Sequence, residues 1–314
     1  MKKITPLFYG FLLLLGLLAP ALGVYPVYLM TLYCYAIFAC AFNLMLGFSG
    51  MLSFGHAAYF GFSSYITAHL ITAEGCSTFL AILLGMLASS LLGLVIGFIA
   101  IRRSGIYFAM ITLALSQLVY FVCLQASFTG GENGIQGVAR GDLFGLIALR
   151  DDLMMYYFIF FVFVMVFLFI QRVVASPFGQ VLKAIRENEV RACSLGYFVD
   201  RQKLLVFVLS STLAGLAGSL KCVALGFAAL SDVLQATSGE VILMTMLGGA
   251  GTFFGPVLGA GIVVTLQDTL SDKVGSWVTV IIGAIFVVCV MAFRKGIVGE
   301  TIEAIQRWQQ RKLS

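Results

Sequence analysis

Long apolar runs separated by short polar segments dominate the chain. They fall near residues 6–22, 27–47, 56–72, 79–101, 106–124, 154–173, 204–224, 240–266 and 277–293. Roughly 20 apolar residues carry a helix across a bilayer, so the pattern predicts an all-α integral membrane protein with about 8–10 transmembrane helices. Two runs are interrupted. One break is GFSGMLSFGHAAYFG at 47–61; the other lies inside 240–266, at GGAGTFFGP. Glycine weakens a helix interior and proline breaks it, so both segments are expected to be broken or re-entrant.

The two breaks echo each other. Met45-Leu46-Gly47-x-x-Gly50 returns as Met246-Leu247-Gly248-x-x-Gly251, with Gly55 and Gly61 following the first and Gly255 and Gly261 the second. Gly-broken segments in corresponding places of two halves point to a transport site, since unwound backbone at membrane depth must be buried in protein or line a wet cavity. The same glycines also suit close helix packing, and spacing alone leaves both readings open.

The longest strongly charged stretch is the loop at 174–203, which contains SPFGQVLKAIRENEVRACSLGYFVDRQK. Leu182, Ile185, Glu189 and Ala192 recur at helical steps, and Gly196 can stop the turn. The segment reads either as a handle for a partner or as a solvated loop whose positive charge fixes topology.

Charge distribution orients the chain. Of the 19 Lys and Arg, only Arg140, Arg150, Lys221 and Lys273 fall outside, or near the outer end of a span, when the amino end is placed inside. Basic residues collect on the cytoplasmic side, so both termini are expected there. Parity then requires 240–266 to enter and leave on one side or to cross twice as short pieces. The net charge of +5 is spread over loops, which gives no nucleic-acid surface.

With 314 residues, 61% of them hydrophobic and 11% charged, there is no polar stretch for a separate soluble domain, and 1–314 reads as one membrane domain. The start, MKKITPLFYGFLLLLGLLAPALG, resembles a signal peptide, but a second apolar run follows at once and favours a retained first helix. The seven cysteines form no C-x-x-C and read as small hydrophobes. The tail at 296–314, with Ile302, Ile305 and Trp308 beside Arg307, Arg311 and Lys312, reads as an interfacial helix or as a loose end.

Polar residues within the runs are few. Asn43, Ser49, Ser53 and His56 cluster at the first break; with Gly50, Gly55, Gly248, Gly251 and Gly255 they are the candidate translocation path. His69 stands alone and reads as packing. All 14 carboxylates are placed in loops or at run edges, Glu240 and Asp268 included, which disfavours a carrier with its own ion coupling. The outer loop at 125–153 carries TGGENG at 129–134 and Asp151–Asp152, and is a candidate contact for a soluble partner. A phosphate-binding loop needs a Gly-Lys pair, and the chain has none. ATP-driven work would therefore need another polypeptide, pushing on the 174–203 loop.

In order along residues 27–295, LGFSGMLSFGHAAYFGFSSY, TGGENGIQGV, SPFGQVLKAIRENEVRACSLGYFVDRQKLLVFVLSSTLAGLAGSL and GGAGTFFGPVLGA resemble the LivM-type permease subunits of branched-chain amino acid ABC importers. The resemblance implies a non-enzymatic permease of the bacterial inner membrane. Its partners would be a second, LivH-type permease, two ATPases of LivG and LivF type, and a periplasmic solute-binding protein. ATP and Mg would be used by the partners and no cofactor bound by this chain; membrane lipid surrounds it. The resemblance also implies a coupling helix of the pattern E-A-A-x-x-x-G. Ala192 and Gly196 match its second half, Arg191 and Val190 depart from its first, and Glu189 stands one place early. Arg186, Glu187, Asn188 and Glu189 are the expected polar contacts to the ATPase, and Ala192 and Gly196 the close-packing positions. Permeases of urea and short-chain amide importers are close relatives, and a stand-alone channel or carrier is the reading from a different class.

Overall fold

The computed structural model describes residues 16–143, 147–149, 151–274, 277, 280, 281, 283–285, 287 and 296–300. Most of the expected first run, much of the last run and residues 301–314 of the tail lie outside the described residues.

Ten α-helices are set out among the described residues. They are α1 (Pro26–Ser49), α2 (His56–Thr72), α3 (Thr78–Ala100), α4 (Ile106–Gln125), α5 (Asp152–Ala175), α6 (Pro177–Glu187), α7 (Glu189–Ser194), α8 (Val199–Leu225), α9 (Gln235–Gly248) and α10 (Gly255–Val274). Among the described residues, α1, α3, α4, α5 and α8 are long and apolar enough to cross a membrane. α1 and α8 are mostly buried and form the core. α3, α4 and α5 turn outward leucines and phenylalanines such as Leu91, Phe98, Phe121 and Phe161, as a lipid-facing surface requires.

Small residues bring α2, α3 and α8 together. The Cα of Gly218 leaves no room for a side chain, since an added carbon would lie 1.9 Å from the Phe60 carbonyl oxygen; at Gly93 it would lie 1.8 Å from Ser211 Oγ. Hydroxyls bond across the same seam: Ser63 donates to the Gly215 carbonyl at 2.7 Å, Ser89 to the Ser211 carbonyl at 2.7 Å, and Thr67 to Ser219 at 2.8 Å. Between helices in lipid, close backbone approach and interhelical hydrogen bonds replace the hydrophobic drive. The six described cysteines are free, and Cys34, Cys40, Cys123 and Cys222 are buried among the helices.

The expected break in 240–266 takes the form of two helical pieces. α9 and α10 pack against each other so closely that a side chain at Gly259 would meet the Met244 carbonyl oxygen at 1.8 Å. The glycine turn between them carries Gly249 at φ 118 and Gly251 at φ 83.

At the end of the bundle opposite α6 and α7, the described residues of the 125–153 segment form a cap. Its β1 (Ile135–Gln136) pairs antiparallel with a later strand, Phe227–Ala228, while β2 (Asp142–Leu143) pairs with β3 (Ile147–Ala148). Arg140 ties the cap down by bonding Asp152 at 2.5 Å and the Ala224 carbonyl at 2.6 Å.

One expectation is overturned here. A buried carboxylate, expected to be absent because every Asp and Glu falls in a loop or at a run edge, is present: the 3-10 turn after α8, Leu230–Val233, packs on α2, and Asp232 is only 3% exposed. Lys221, expected near the outer end of a span, is itself buried and ion-paired with Asp232. A carboxylate is tolerated there because the ammonium cancels its charge, and the Tyr35 and Phe60 rings lie 5.7 and 5.6 Å from Lys221 Nζ. The pair forms across a chain reversal at Gly226, which run-by-run reading does not foresee.

Candidate functional site

The two echoed glycine breaks meet. α1 ends at Ser49, with Gly50 in the left-handed region at φ 76, and α2 starts at His56. One and a half turns before that end, Asn43 faces the turn between α9 and α10. Its Oδ1 accepts the Gly251 N–H at 2.8 Å and its Nδ2 donates to the Thr252 carbonyl at 2.8 Å. Gly47 permits the approach, since an added carbon there would lie 2.4 Å from the Gly251 nitrogen and 2.1 Å from Asn43 Oδ1. The Phe48 and Phe253 rings pack beside the junction, 5.6 Å apart. Gly248 and Gly255 close the second break on itself, and a side chain at Gly248 would strike the Gly255 carbonyl oxygen.

The charged loop reaches this junction. Arg186, near the end of α6, donates from Nη1 to the Gly47 carbonyl. Its aliphatic stem lies against Gly50, with Cγ 3.1 Å from where a side chain would begin; Nη1 lies 3.0 Å from the same position at Gly251. One guanidinium thus touches both breaks. Beside it is a cavity of about 460 Å³, lined by residues including Ser49, Gly50, Arg103, Glu187, Glu189 and Lys203.

The loop residues divide by role. α6 and α7 are separate helices because Asn188 leaves the helical region (φ −158) and caps α7, its Oδ1 accepting the Arg191 N–H at 2.9 Å. Glu187 is exposed at the cavity rim. Glu189 pairs with Lys203 of α8 at 2.6 Å, with the Lys203 side chain 7% exposed. Ala192 is buried within this chain, in a cluster with Ile185 and Val199. Gly196 turns the chain at φ 88, with nothing within 4 Å of where a side chain would start.

The other candidate path residues sit nearby but turn inward. Ser49 donates to the Met45 carbonyl at 2.6 Å, and Ser53 Oγ accepts the Gly55 N–H at 3.3 Å. Gly55 presses on α4, where an added carbon would meet the Thr112 carbonyl oxygen at 2.3 Å. His56 is fully buried among Phe38, Phe42 and Tyr59; its Nε2 lies 3.0 Å from Ser210 Oγ, and its Nδ1 has no hydrogen-bond partner. Asn43, Gly47, Gly50 and Gly251 therefore form one junction, while Ser53, Gly55 and His56 pack at the start of α2. His69 packs on Phe128, with ring centroids 5.6 Å apart. Among the described residues no group of His, Cys, Asp and Glu is placed to hold a metal ion.

Sequence reading missed the Arg186–Gly47 and Glu189–Lys203 contacts. It also missed the pairing of Lys221 with Asp232, although a lysine within the apolar run at 204–224 was the signal that could have led to it.

The model of a family described as the branched-chain amino acid transport system permease component matches residues 26–290. The chain belongs to that permease family. It is 30% identical over 261 residues to the high-affinity branched-chain amino acid transport system permease protein LivM of Salmonella typhimurium, covering 76% of this chain and 61% of the relative. The LivM protein of Escherichia coli is 29% identical over the same shares. A probable branched-chain amino acid transport permease protein LivM of Methanocaldococcus jannaschii is 26% identical, over 72% of this chain and 75% of its own length. The chain thus spans about three fifths of the two bacterial relatives. No solved structure matches it. Membership and the apolar helices make it a multi-pass membrane protein of that permease family.

Proposed function

We propose that this chain is one of two permease subunits of an ATP-binding-cassette importer carrying leucine, isoleucine and valine across the bacterial inner membrane. In this reading the end bearing α6 and α7 is cytoplasmic, as are both termini. A LivH-type permease lies beside the chain, LivG- and LivF-type ATPases bind below, and a periplasmic binding protein delivers cargo above. This permease subunit performs no catalysis, and ATP and Mg are used by the partner ATPases.

The observation that carries the reading is the Arg186–Gly47 contact. α6 and the turn after α7 present Glu187 and Gly196 to the side on which an ATPase would dock, and Arg186 connects α6 to both glycine breaks. A displacement of α6 would be transmitted to irregular backbone that few intrahelical bonds hold in place. Substrate choice fits the binding protein better than this chain. Burying a Leu or Val side chain is worth roughly 1.5–3 kcal/mol, one methylene discriminates by about 1–3 kcal/mol, and a permease must release what it binds.

The buried Asp232 withdraws the argument that no carboxylate is available for ion coupling, so an ion-coupled carrier is the second reading. Its charge is already cancelled by Lys221, and the ATP-driven reading rests on α6, α7 and the family match. Purification of the tagged chain from native membranes in mild detergent tests the choice. Co-elution of an ATPase and a second permease, followed by ATP-dependent leucine uptake, is the expected result. A lone homo-oligomer that conducts solute without ATP would contradict it, and preferred uptake of urea or an amide would replace the substrate.

A further inference from the structure

We propose that the buried Lys221–Asp232 pair is a recognition station for a zwitterion, Lys221 taking the substrate's carboxylate and Asp232 its ammonium. The inference rests on the amino-acid reading above and adds where the backbone charges of the cargo are received.

The pair is closed off from solvent, with side chains only 9% and 4% exposed. Lys221 Nζ bonds one carboxylate oxygen of Asp232, and the other oxygen, Oδ2, is buried without a hydrogen-bond partner. The Tyr65 hydroxyl, within electrostatic reach of Asp232, is also buried and unpartnered, and the Glu240 carboxylate lies within reach of both charges. A buried acceptor left unmade is costly, and the open oxygen can take an ammonium donor.

Stability does not explain the pair. Well-packed apolar residues often serve a fold as well as a buried ion pair or better, and ionisable groups at membrane depth are found mostly where a path needs them. The position also fits a path. Lys221 lies one turn below Ala224, whose carbonyl Arg140 of the far-end cap holds, so the pair sits about one turn of α8 beneath the point where that cap is anchored. Asp232 sits on a short 3-10 turn, and irregular backbone at this depth is tolerated only inside protein or along a cavity. Gly61 makes room for the turn: a side chain there would begin 2.4 Å from Val233 Cγ2 and 2.8 Å from the Asp232 carbonyl carbon.

The two residues carry the complements of both charges of an amino acid. In the empty protein they satisfy each other. When cargo arrives each exchanges its partner for the opposite end of the zwitterion, so no charge is left bare during passage. The apolar side chain is not read at this point, in keeping with selection by a binding protein.

The test uses the complete importer, reconstituted with its ATPases, second permease and loaded binding protein. The double variant Lys221→Met/Asp232→Leu keeps the volume apolar and is expected to assemble and melt like the parent. Its leucine uptake is expected to fall by about ten-fold or more, because a site built to pair with a polar group loses most of its rate without the match. Lys221→Arg provides a second measure that keeps both charges: the station predicts slower uptake at saturating loaded binding protein. Parental uptake rates in either variant overturn the proposal. If the parent moves leucine and Lys221→Met/Asp232→Leu does so equally well, the station alone falls. If the parent moves urea and not leucine, the station and the substrate reading fall together.

Discussion

Asn43 and Gly251 are bound to each other across 208 residues of sequence, the side-chain Oδ1 of one accepting the backbone N–H of the other at 2.8 Å. Through the same amide, Nδ2 donates to the next carbonyl, that of Thr252. One side chain thus completes the hydrogen bonding of a turn that its own helices leave unsatisfied. Asn43→Ala should lower the thermal stability of the purified protein, because each buried group left unpaired costs roughly 1–3 kcal/mol. An unchanged melting temperature in detergent would show that the junction does not depend on this amide.

Gly47 and Gly261 belong to the two echoed halves, but their surroundings differ. An added methyl at Gly47 meets backbone nitrogen and the Asn43 amide at 2.4 and 2.1 Å, whereas at Gly261 it meets nothing within 4 Å. Gly47→Ala should push the breaks apart and abolish uptake. Gly261→Ala should be tolerated, with a gain of about 0.5–1 kcal/mol from a less flexible helix interior. Uptake by the two variants, compared at equal membrane abundance, checks the contrast; equal activity would contradict it.

Glu189 and Lys203 bind α7 to α8. Because Lys203 is nearly buried, the pair should couple more strongly than a surface pair, by about 1 kcal/mol or more in a double-mutant cycle of Glu189→Gln and Lys203→Met. Additive effects on the melting temperature would place Glu189 with the exposed residues, free for an external partner.

Gly196 separates backbone strain from docking. Its φ of 88 penalises every side chain alike, and the space around it is empty of this chain's atoms. Gly196→Ala and Gly196→Trp should therefore destabilise the isolated subunit equally, by about 1 kcal/mol. Only the tryptophan should block assembly with an ATPase, which co-purification reads. Equal assembly of both variants would remove Gly196 from the docking surface.

Much of this architecture was legible in the sequence because it is written in local pattern. The apolar runs at 79–101, 106–124 and 154–173 became α3, α4 and α5 within a few residues at each end. The repeated Met-Leu-Gly-x-x-Gly marked the two breaks. The choice between packing and unwinding dissolved, since Gly47 and Gly248 serve close approach while Gly50 and Gly251 serve turns. What spacing could not convey is which distant groups meet. Arg186 reads as one more cytoplasmic charge until α6 is seen against Gly47, and Asp232 reads as a loop carboxylate until Gly226 turns it back beside Lys221. Ala192 matches a docking pattern by its spacing, and that spacing does not reveal its packing with Ile185 and Val199 of its own chain.

In the proposed importer, Arg186 passes the movement of α6 to the paired glycine breaks. The most direct measurement compares ATP hydrolysis and leucine uptake in the same proteoliposomes for the parent and Arg186→Gln. Assembly and hydrolysis should persist while uptake per ATP falls steeply, because the handle remains and its connection to Gly47 is cut. Parental uptake per ATP in Arg186→Gln would contradict it.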